Sequence, residues 1–147
     1  MILITGFEPF GIIGRILNRN ESKIIATRLA KEFKEEVIIL PVNESCKRIL
    51  SNKVKKLKPK AIFLLGQSPN FMIHLEDYKG NKSSIPSELA FKFNQSGEED
   101  MGTYYCAKIY EKALKLNKKS IFIHVPLYQD YNLIKEIFKE FKRCLNK

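Results

Sequence analysis

The sequence predicts one α/β domain, with a mostly parallel sheet covered on both faces by helices. Short apolar runs alternate with stretches of helical periodicity, and Gly or Pro stands at many of the junctions. Apolar runs without alternation are typical of strands that are buried on both faces. A chain of 147 residues is long enough to bury a core and short enough for one domain, so residues 1–147 are predicted to fold together.

In the first half of the chain, the apolar run Met1–Thr5 predicts a strand, and a loop punctuated by Gly and Pro follows it. Ile25, Leu29 and Phe33 recur at helical spacing, and Asn20 or Ser22 is a suitable cap for the helix that they predict. The predicted elements after the first strand and loop are the helix Ser22–Glu35, the strand Val37–Val42, the helix Glu44–Leu57 and the strand Ala61–Leu65.

The second half is less regular. Strict alternation over Phe71–Glu76 predicts a short strand, and a polar loop follows it. The remaining predicted elements are a strand Leu89–Phe93, a loop Gly97–Gly102, a helix Thr103–Leu116, a strand Ser120–Val125 and a helix Asp130–Asn146.

Composition excludes several classes of protein. Ten Phe, six Tyr and 44% hydrophobic residues exclude a disordered chain, and no apolar run approaches the roughly 20 residues of a membrane span. Three widely separated Cys without an export signal predict a cytoplasmic protein with neither a disulfide framework nor a structural zinc site. The net charge is +10, but only five of the 26 basic residues are Arg, so we expect no specific nucleic-acid partner.

Ligand sites of parallel sheets lie beyond the carboxyl ends of the strands. The segment Thr5–Gly11 follows the first strand and contains neither a dinucleotide fingerprint nor a phosphate-binding loop, so no cofactor is predicted. Phe7 and Phe10 could form an apolar slot for a flat ligand or could simply plug the edge of the core, and the residues alone favour the plug.

A cysteine and a histidine fall at similar edges. Cys106 lies in the first turn of a predicted helix, where backbone N–H groups favour a thiolate and can stabilise an oxyanion. His124 ends a predicted strand, and Glu76 could orient its imidazole, although His74 is a rival base. Cys106 also shares an apolar stripe with its helix, so an inert core thiol is the alternative. Similar stripes predict that Cys46 and Cys144 are structural.

The sequence resembles the pyrrolidone carboxyl peptidases (pyroglutamyl peptidase I), as a shortened and divergent relative. The resemblance rests on an opening Thr-Gly-Phe-Glu-Pro-Phe-Gly, a Gly-Gln after an apolar strand, and a Leu-Glu pair with an Asn five residues after the Glu. A Gly-Thr-Tyr-Tyr-Cys and a closing Phe-Ile-His-Val-Pro complete it. These motifs stand at Thr5–Gly11, Gly66–Gln67, Leu75–Glu76, Gly102–Cys106 and Phe122–Pro126.

The resemblance implies a three-layer α/β/α sandwich with a mixed sheet and a thiol protease that uses no metal or organic cofactor. The hydrolase would remove N-terminal pyroglutamate (5-oxoproline) from peptides, and homo-oligomers are frequent in the family. By the same resemblance, Phe7, Phe10 and Gln67 bind the pyroglutamyl ring. The implied catalytic residues are Cys106, His124 and Glu76.

The sequence departs from the family at several points. The segment between Glu76 and Cys106 is several dozen residues shorter, and Asn70-Phe71 stands where the family has an Arg after Gly-Gly. The family's Asn-Pro-Ser corresponds to Asn20-Glu21-Ser22, displaced by an insertion. A catalytically impaired relative that binds small molecules or peptides is therefore the alternative function.

Overall fold

The computed structural model describes residues 1–67, 74–76, 95–96, 104–127 and 131–147. These residues form strands and helices in alternation along most of the chain. The strands are β1 (Ile2–Phe7), β2 (Glu36–Leu40), β3 (Ala61–Gln67), β4 (His74–Glu76), β5 (Gln95–Ser96) and β6 (Ser120–Val125). The helices are α1 (Gly11–Leu17), α2 (Glu21–Phe33), α3 (Cys46–Leu57), α4 (Tyr104–Leu116) and α5 (Tyr131–Leu145).

The strands form one mixed sheet in the order β2-β1-β3-β6-β4-β5. Strands β2, β1, β3 and β6 are parallel to one another, whereas β4 pairs antiparallel with β6 and parallel with β5. Thr5 pairs with Leu64, and Gly66 pairs with His124. The prediction of an α/β domain with a mostly parallel, mixed sheet is confirmed.

Helices cover both faces of the sheet, which gives three layers. Helices α2 and α5 pack on one face through an apolar cluster that includes Ile25, Leu29, Phe138 and Phe141. Helices α3 and α4 pack on the other face, where Leu50 and Tyr110 belong to a second apolar cluster. Alternate residues of β1, β2, β3 and β6 contribute to the two clusters, as the pleat requires. We call the face under α3 and α4 the thiol face, because Cys106 lies on it.

The boundaries follow the sequence closely, with two elements missed: helix α1 and the short strand β5. The last strand, Ser120–Val125, is observed as predicted, and the other major elements differ by a few residues at their ends. The loop expected after the first strand contains helix α1, because the Gly residues that predict a loop lie within a short helical turn. The predicted strand Leu89–Phe93 and loop Gly97–Gly102 lie outside the described residues. In the described part of the chain, no helix is long and apolar enough to cross a membrane.

The carboxylate of Glu35, in the turn between α2 and β2, joins β1 to α5 at the amino end of the sheet. One of its oxygens accepts a hydrogen bond from the Ile2 N–H of β1 at 2.7 Å, and the other accepts one from Lys142 of α5 at 2.7 Å. Burial opposes ionisation of this nearly buried side chain, but the two hydrogen bonds, together with the positive charges of Lys142 and the N-terminus, outweigh it. The pKa of Glu35 therefore lies below its ordinary value.

Replacing Glu35→Gln should destabilise the protein by about 1–3 kcal/mol at pH 7, since two hydrogen bonds to a charged group are weakened. A lowered pKa in the folded state gives stability that is present above the unfolded-state pKa and lost as the pH falls through the folded-state value. Urea unfolding should therefore show a gap between wild type and variant that closes below about pH 4. Glu36→Gln is the matched control, because Glu36 pairs with Lys53 near solvent. An equal loss in both variants would contradict the assignment.

Candidate active site at the carboxyl ends of β1, β3 and β6

A crevice is expected where β1 and β3 part. The chain leaves β1 through α2 on one face to reach β2, and returns through α3 on the other face to reach β3. Sheets of this kind bind ligands at such a switch point, beyond the carboxyl ends of the strands. The ladder between the two strands ends at Thr5 and Leu64, although β1 continues to Phe7 and β3 to Gln67.

Helix α4 lies very close to the sheet at Gly66. A Cβ added to Gly66 would lie 2.7 Å and 2.9 Å from the Phe122 ring and 3.1 Å from Cys106 Sγ. These distances are too short for ordinary contact, so the absence of a side chain at Gly66 makes room for the sulfur. Cys106 is 5% exposed and belongs to the apolar cluster of the thiol face, together with Ile109, Tyr110 and Ala113 of its own helix.

His124 lies on the same face as Cys106. It is two residues after Phe122 in β6, and the rings of the two residues meet edge to face with centroids 4.9 Å apart. Since Gly66 pairs with His124, the strand positions under the Cys106 sulfur and under the imidazole are direct neighbours in the sheet. His124 is 2% exposed. The structure thus brings the predicted Cys and His to one edge and one face of the sheet.

The backbone of β4 runs beside β6 at this edge. His74 pairs with His124, and Glu76 pairs with Phe122. Glu76 is therefore a diagonal neighbour of His124, at a separation that long side chains can bridge. The side chains of His74 and Glu76 lie outside the described part of the structure, so the choice between an orienting acid and a rival base remains a prediction.

The two predicted ring-binding phenylalanines differ in their surroundings. Phe7 ends β1, is 3% exposed and belongs to the apolar cluster of the thiol face. Thr5 pairs with Leu64, and Phe7 and Gly66 each lie two residues further along their strands. Phe7 is therefore at about the level of Gly66, which pairs with His124 in the next strand. Phe10 is half-buried and precedes the first residue of α1.

Polar side chains at the start of α2 fix the end of β1. The Ser22 hydroxyl accepts a hydrogen bond from the Phe7 N–H at 2.9 Å and donates one to Asn20 Oδ1 at 2.6 Å. Asn20 Oδ1 also accepts from the Ser22 N–H at 3.0 Å, which caps the helix as the sequence predicts. Both side chains are buried. These hydrogen bonds tie the backbone of Phe7 to the start of α2.

Gln67 joins the same helix start to the end of β3. Its Oε1 accepts a hydrogen bond from the Glu21 N–H at 2.8 Å. The side chain of Glu21 is 4% exposed and pairs with Arg19. The sequence predicted a cap at Asn20 or Ser22, but the contact between Glu21 and Gln67 was not predicted. The correspondence of Asn20-Glu21-Ser22 with the family's Asn-Pro-Ser was the available signal.

One further polar atom was not anticipated. Thr5 Oγ1, in the middle of β1, is the single buried side-chain nitrogen or oxygen without a hydrogen-bond partner among the described residues. The described part of the chain contains no group of three or more His, Cys, Asp or Glu that could hold a metal ion. The described side chains at this edge include a thiol, an imidazole and an amide, which belong to Cys106, His124 and Gln67.

Comparison with solved structures identifies the fold. The chain is similar to pyrrolidone carboxyl peptidase from Pyrococcus furiosus, with 20% identity, a TM-score of 0.71, and 98% of this chain and 97% of that chain covered. It is also similar to the Thermus thermophilus pyrrolidone carboxyl peptidase, with 21% identity, a TM-score of 0.66, and 99% and 98% covered. No protein-family model matches, and no curated protein matches by sequence. The chain has the fold of the pyrrolidone carboxyl peptidases, and the predicted likeness to them is confirmed at that level.

The contact at Gly66 gives a stability prediction. Gly66→Ala should destabilise the protein by about 1–3 kcal/mol, because the methyl group must displace the Phe122 ring and the Cys106 sulfur in a packed core. Gly14→Ala is the matched control, since its nearest contact would be an ordinary 3.6 Å. In helix α1 that change should be neutral or stabilising by up to about 1 kcal/mol. Chemical denaturation of both variants measures the difference, and an unchanged Gly66→Ala would mean that α4 does not approach the sheet so closely.

Proposed function

We propose that the chain is a cysteine-type omega peptidase that removes N-terminal pyroglutamate from peptides. The observation that carries this proposal is the position of Cys106 and His124 on one face of the sheet. The Cys106 sulfur lies over Gly66, and Gly66 pairs with His124. The likeness of the fold to two pyrrolidone carboxyl peptidases supports the same reaction. We also infer that the protein acts in the cytoplasm.

In the proposed reaction, Cys106 Sγ attacks the carbonyl carbon of the pyroglutamyl peptide bond, and the thiol proton passes to His124. The carbon–nitrogen bond breaks as His124 returns that proton to the leaving amine. Water then attacks the thioester, His124 takes a proton from it, and 5-oxoproline leaves as the proton returns to sulfur. Glu76, the diagonal neighbour of His124 in the sheet, would orient the imidazole.

Binding of the ring requires apolar surface and a few amide partners, because a lactam is neutral. Phe7 supplies an aromatic wall at the level of Gly66 and His124, and Phe10 supplies a half-buried ring at the start of α1. Gln67 supplies a side-chain amide at the end of β3. We propose these three residues as the ring-binding set.

Burial of the sulfur favours a second candidate. Cys106 and His124 are 5% and 2% exposed, and Cys106 belongs to an apolar cluster, as an inert core thiol would. If the crevice does not admit a scissile bond to the sulfur, the protein is a binder of lactams or peptides with the same fold.

Fluorogenic hydrolysis of pyroglutamyl-aminomethylcoumarin tests the two candidates. The enzyme should release the dye, and Cys106→Ala should lower the rate by at least about 10³-fold, as loss of a covalent nucleophile does. Cys144→Ala is the matched control, because Cys144 is a buried thiol on α5, packed away from the thiol face, and its removal should leave turnover intact.

Iodoacetamide should inactivate the wild type with one alkylation, at Cys106, that 5-oxoproline slows. Turnover that survives Cys106→Ala would contradict the mechanism. A folded wild type that is inactive but is stabilised against heat by 5-oxoproline would identify the binder. Neither turnover nor stabilisation would overturn both candidates.

A further inference from the structure

The first helical residue of α2 makes a contact that the ring-binding proposal does not use. Asn20 is the cap of α2, so Glu21 is the first residue within the helix, and its N–H is one of those that a helix leaves without an internal partner. The N–H of Glu21 donates to Gln67 Oε1 at 2.8 Å. An N–H at a helix start is a rigid donor, because the cap and the following turn fix its direction.

The same bond determines which end of the Gln67 amide is available to a ligand. The oxygen is engaged by α2, so the nitrogen is the end of the amide that remains to contact a ligand. Among the described residues, Gln67 Nε2 makes no hydrogen bond. It is also not a fully buried atom without a partner, since Thr5 Oγ1 is the one described side-chain atom of that kind. It therefore reaches solvent at the carboxyl edge, where it can donate a hydrogen bond.

We propose that the backbone N–H of Glu21 is a positioning group, which holds the Gln67 amide so that Nε2 donates to the ring carbonyl of an N-terminal lactam. This inference rests on the proposed function and adds a selection rule to it. A ring with a carbonyl group is bound, because the carbonyl accepts a hydrogen bond from Gln67 Nε2. The same ring without the carbonyl leaves Nε2 without an acceptor. N-terminal proline peptides, whose ring has no carbonyl and whose nitrogen is charged, are rejected.

The contact needs only the backbone of Glu21. Pro is the one residue that could not make it, because Pro has no N–H to donate. The carboxylate of Glu21 is not needed for the contact, since it pairs with Arg19 while the backbone bonds Gln67. Any residue other than Pro at position 21 would retain the donor.

A single substitution can delete this donor without disturbing the helix. Pro is favoured at the first position of a helix, where its missing N–H breaks no internal bond. Asn20, which precedes it, has φ −142° and ψ 122°, an extended conformation that a residue before Pro adopts readily. Glu21→Pro should therefore fold normally. Glu21→Ala is the matched reference, because both variants lack the carboxylate and only Pro lacks the N–H.

Steady-state kinetics with pyroglutamyl-aminomethylcoumarin compares the two variants. We expect a KM for Glu21→Pro that is about threefold to tenfold above that of Glu21→Ala, the factor that one hydrogen bond contributes. The kcat values should agree within about twofold, because the ring carbonyl is remote from the bond that breaks. In a Gln67→Ala background, the change from Ala to Pro at position 21 should have no further effect on KM.

Equal KM values for the two variants in an enzyme that turns over would overturn the inference and leave the proposed function standing. If the wild type does not turn over, the dissociation constant of 5-oxoproline, measured by calorimetry, replaces KM with the same expected ratio. Absence of both turnover and binding would overturn the proposed function and this inference with it.

The hydrogen bond itself has a readout that needs no ligand. Hydrogen exchange of the Glu21 amide should be at least about threefold slower in the wild type than in Gln67→Ala, whereas amides in the middle of α2 should exchange equally in both. An unchanged exchange rate at Glu21 would overturn the contact, and therefore the inference, whatever the activity of the protein.

Discussion

The close approach of α4 to the sheet at Gly66 determines the geometry of the whole carboxyl edge. Since Gly66 has no side chain, the Cys106 sulfur and the Phe122 ring occupy the space above its backbone. That packing turns the apolar stripe of α4 toward the sheet and leaves Cys106, the stripe residue nearest the start of the helix, beside the strand that ends in His124. A larger residue at position 66 would lift the helix and separate the thiol from the imidazole. One missing Cβ therefore links the packing of the core to the chemistry proposed for the edge.

The start of α2 provides the second constraint, and it acts through hydrogen bonds instead of packing. Ser22 holds the backbone of Phe7 at the end of β1, and the N–H of Glu21 holds the side chain of Gln67 at the end of β3. The ladder between these two strands stops before their ends, so the helix replaces it as the connection across the gap. The strands can part to form a crevice while their last residues remain fixed. The site is therefore bordered by three segments of the chain, which are the end of β1, the end of β3 and the start of α2.

Much of this architecture was predictable from local patterns, and the contacts that matter most were not. The run Ser120–Val125 is uniformly buried, so its apolar continuity alone located the strand. Helix α1 was missed because Gly11 and Gly14 have low helix propensity and its Ile12 and Ile16 are exposed, which removes the amphipathic signal. The stripe of α4 gave a core thiol at Cys106 as the alternative to a reactive one, and the side chain is buried. Its contact with Gly66 depends on how deeply a helix sits on a sheet, and no pattern within a single element encodes that depth. The link between Glu21 and Gln67, 46 positions apart, uses a backbone donor that every residue except Pro possesses.

All three thiols of the chain are buried and reduced, and this has a consequence for following its motions. Burial raises the pKa of the Cys46 thiol, which suppresses its thiolate while the core is closed. Cys46 is the first residue of α3, Cys106 is the third residue of α4, and Cys144 is next to the last residue of α5, so fraying of one helix end exposes each thiol to a disulfide reagent. The rates at which the three sulfurs react would therefore report separately on the start of α3, the start of α4 and the end of α5, with no label added to the chain.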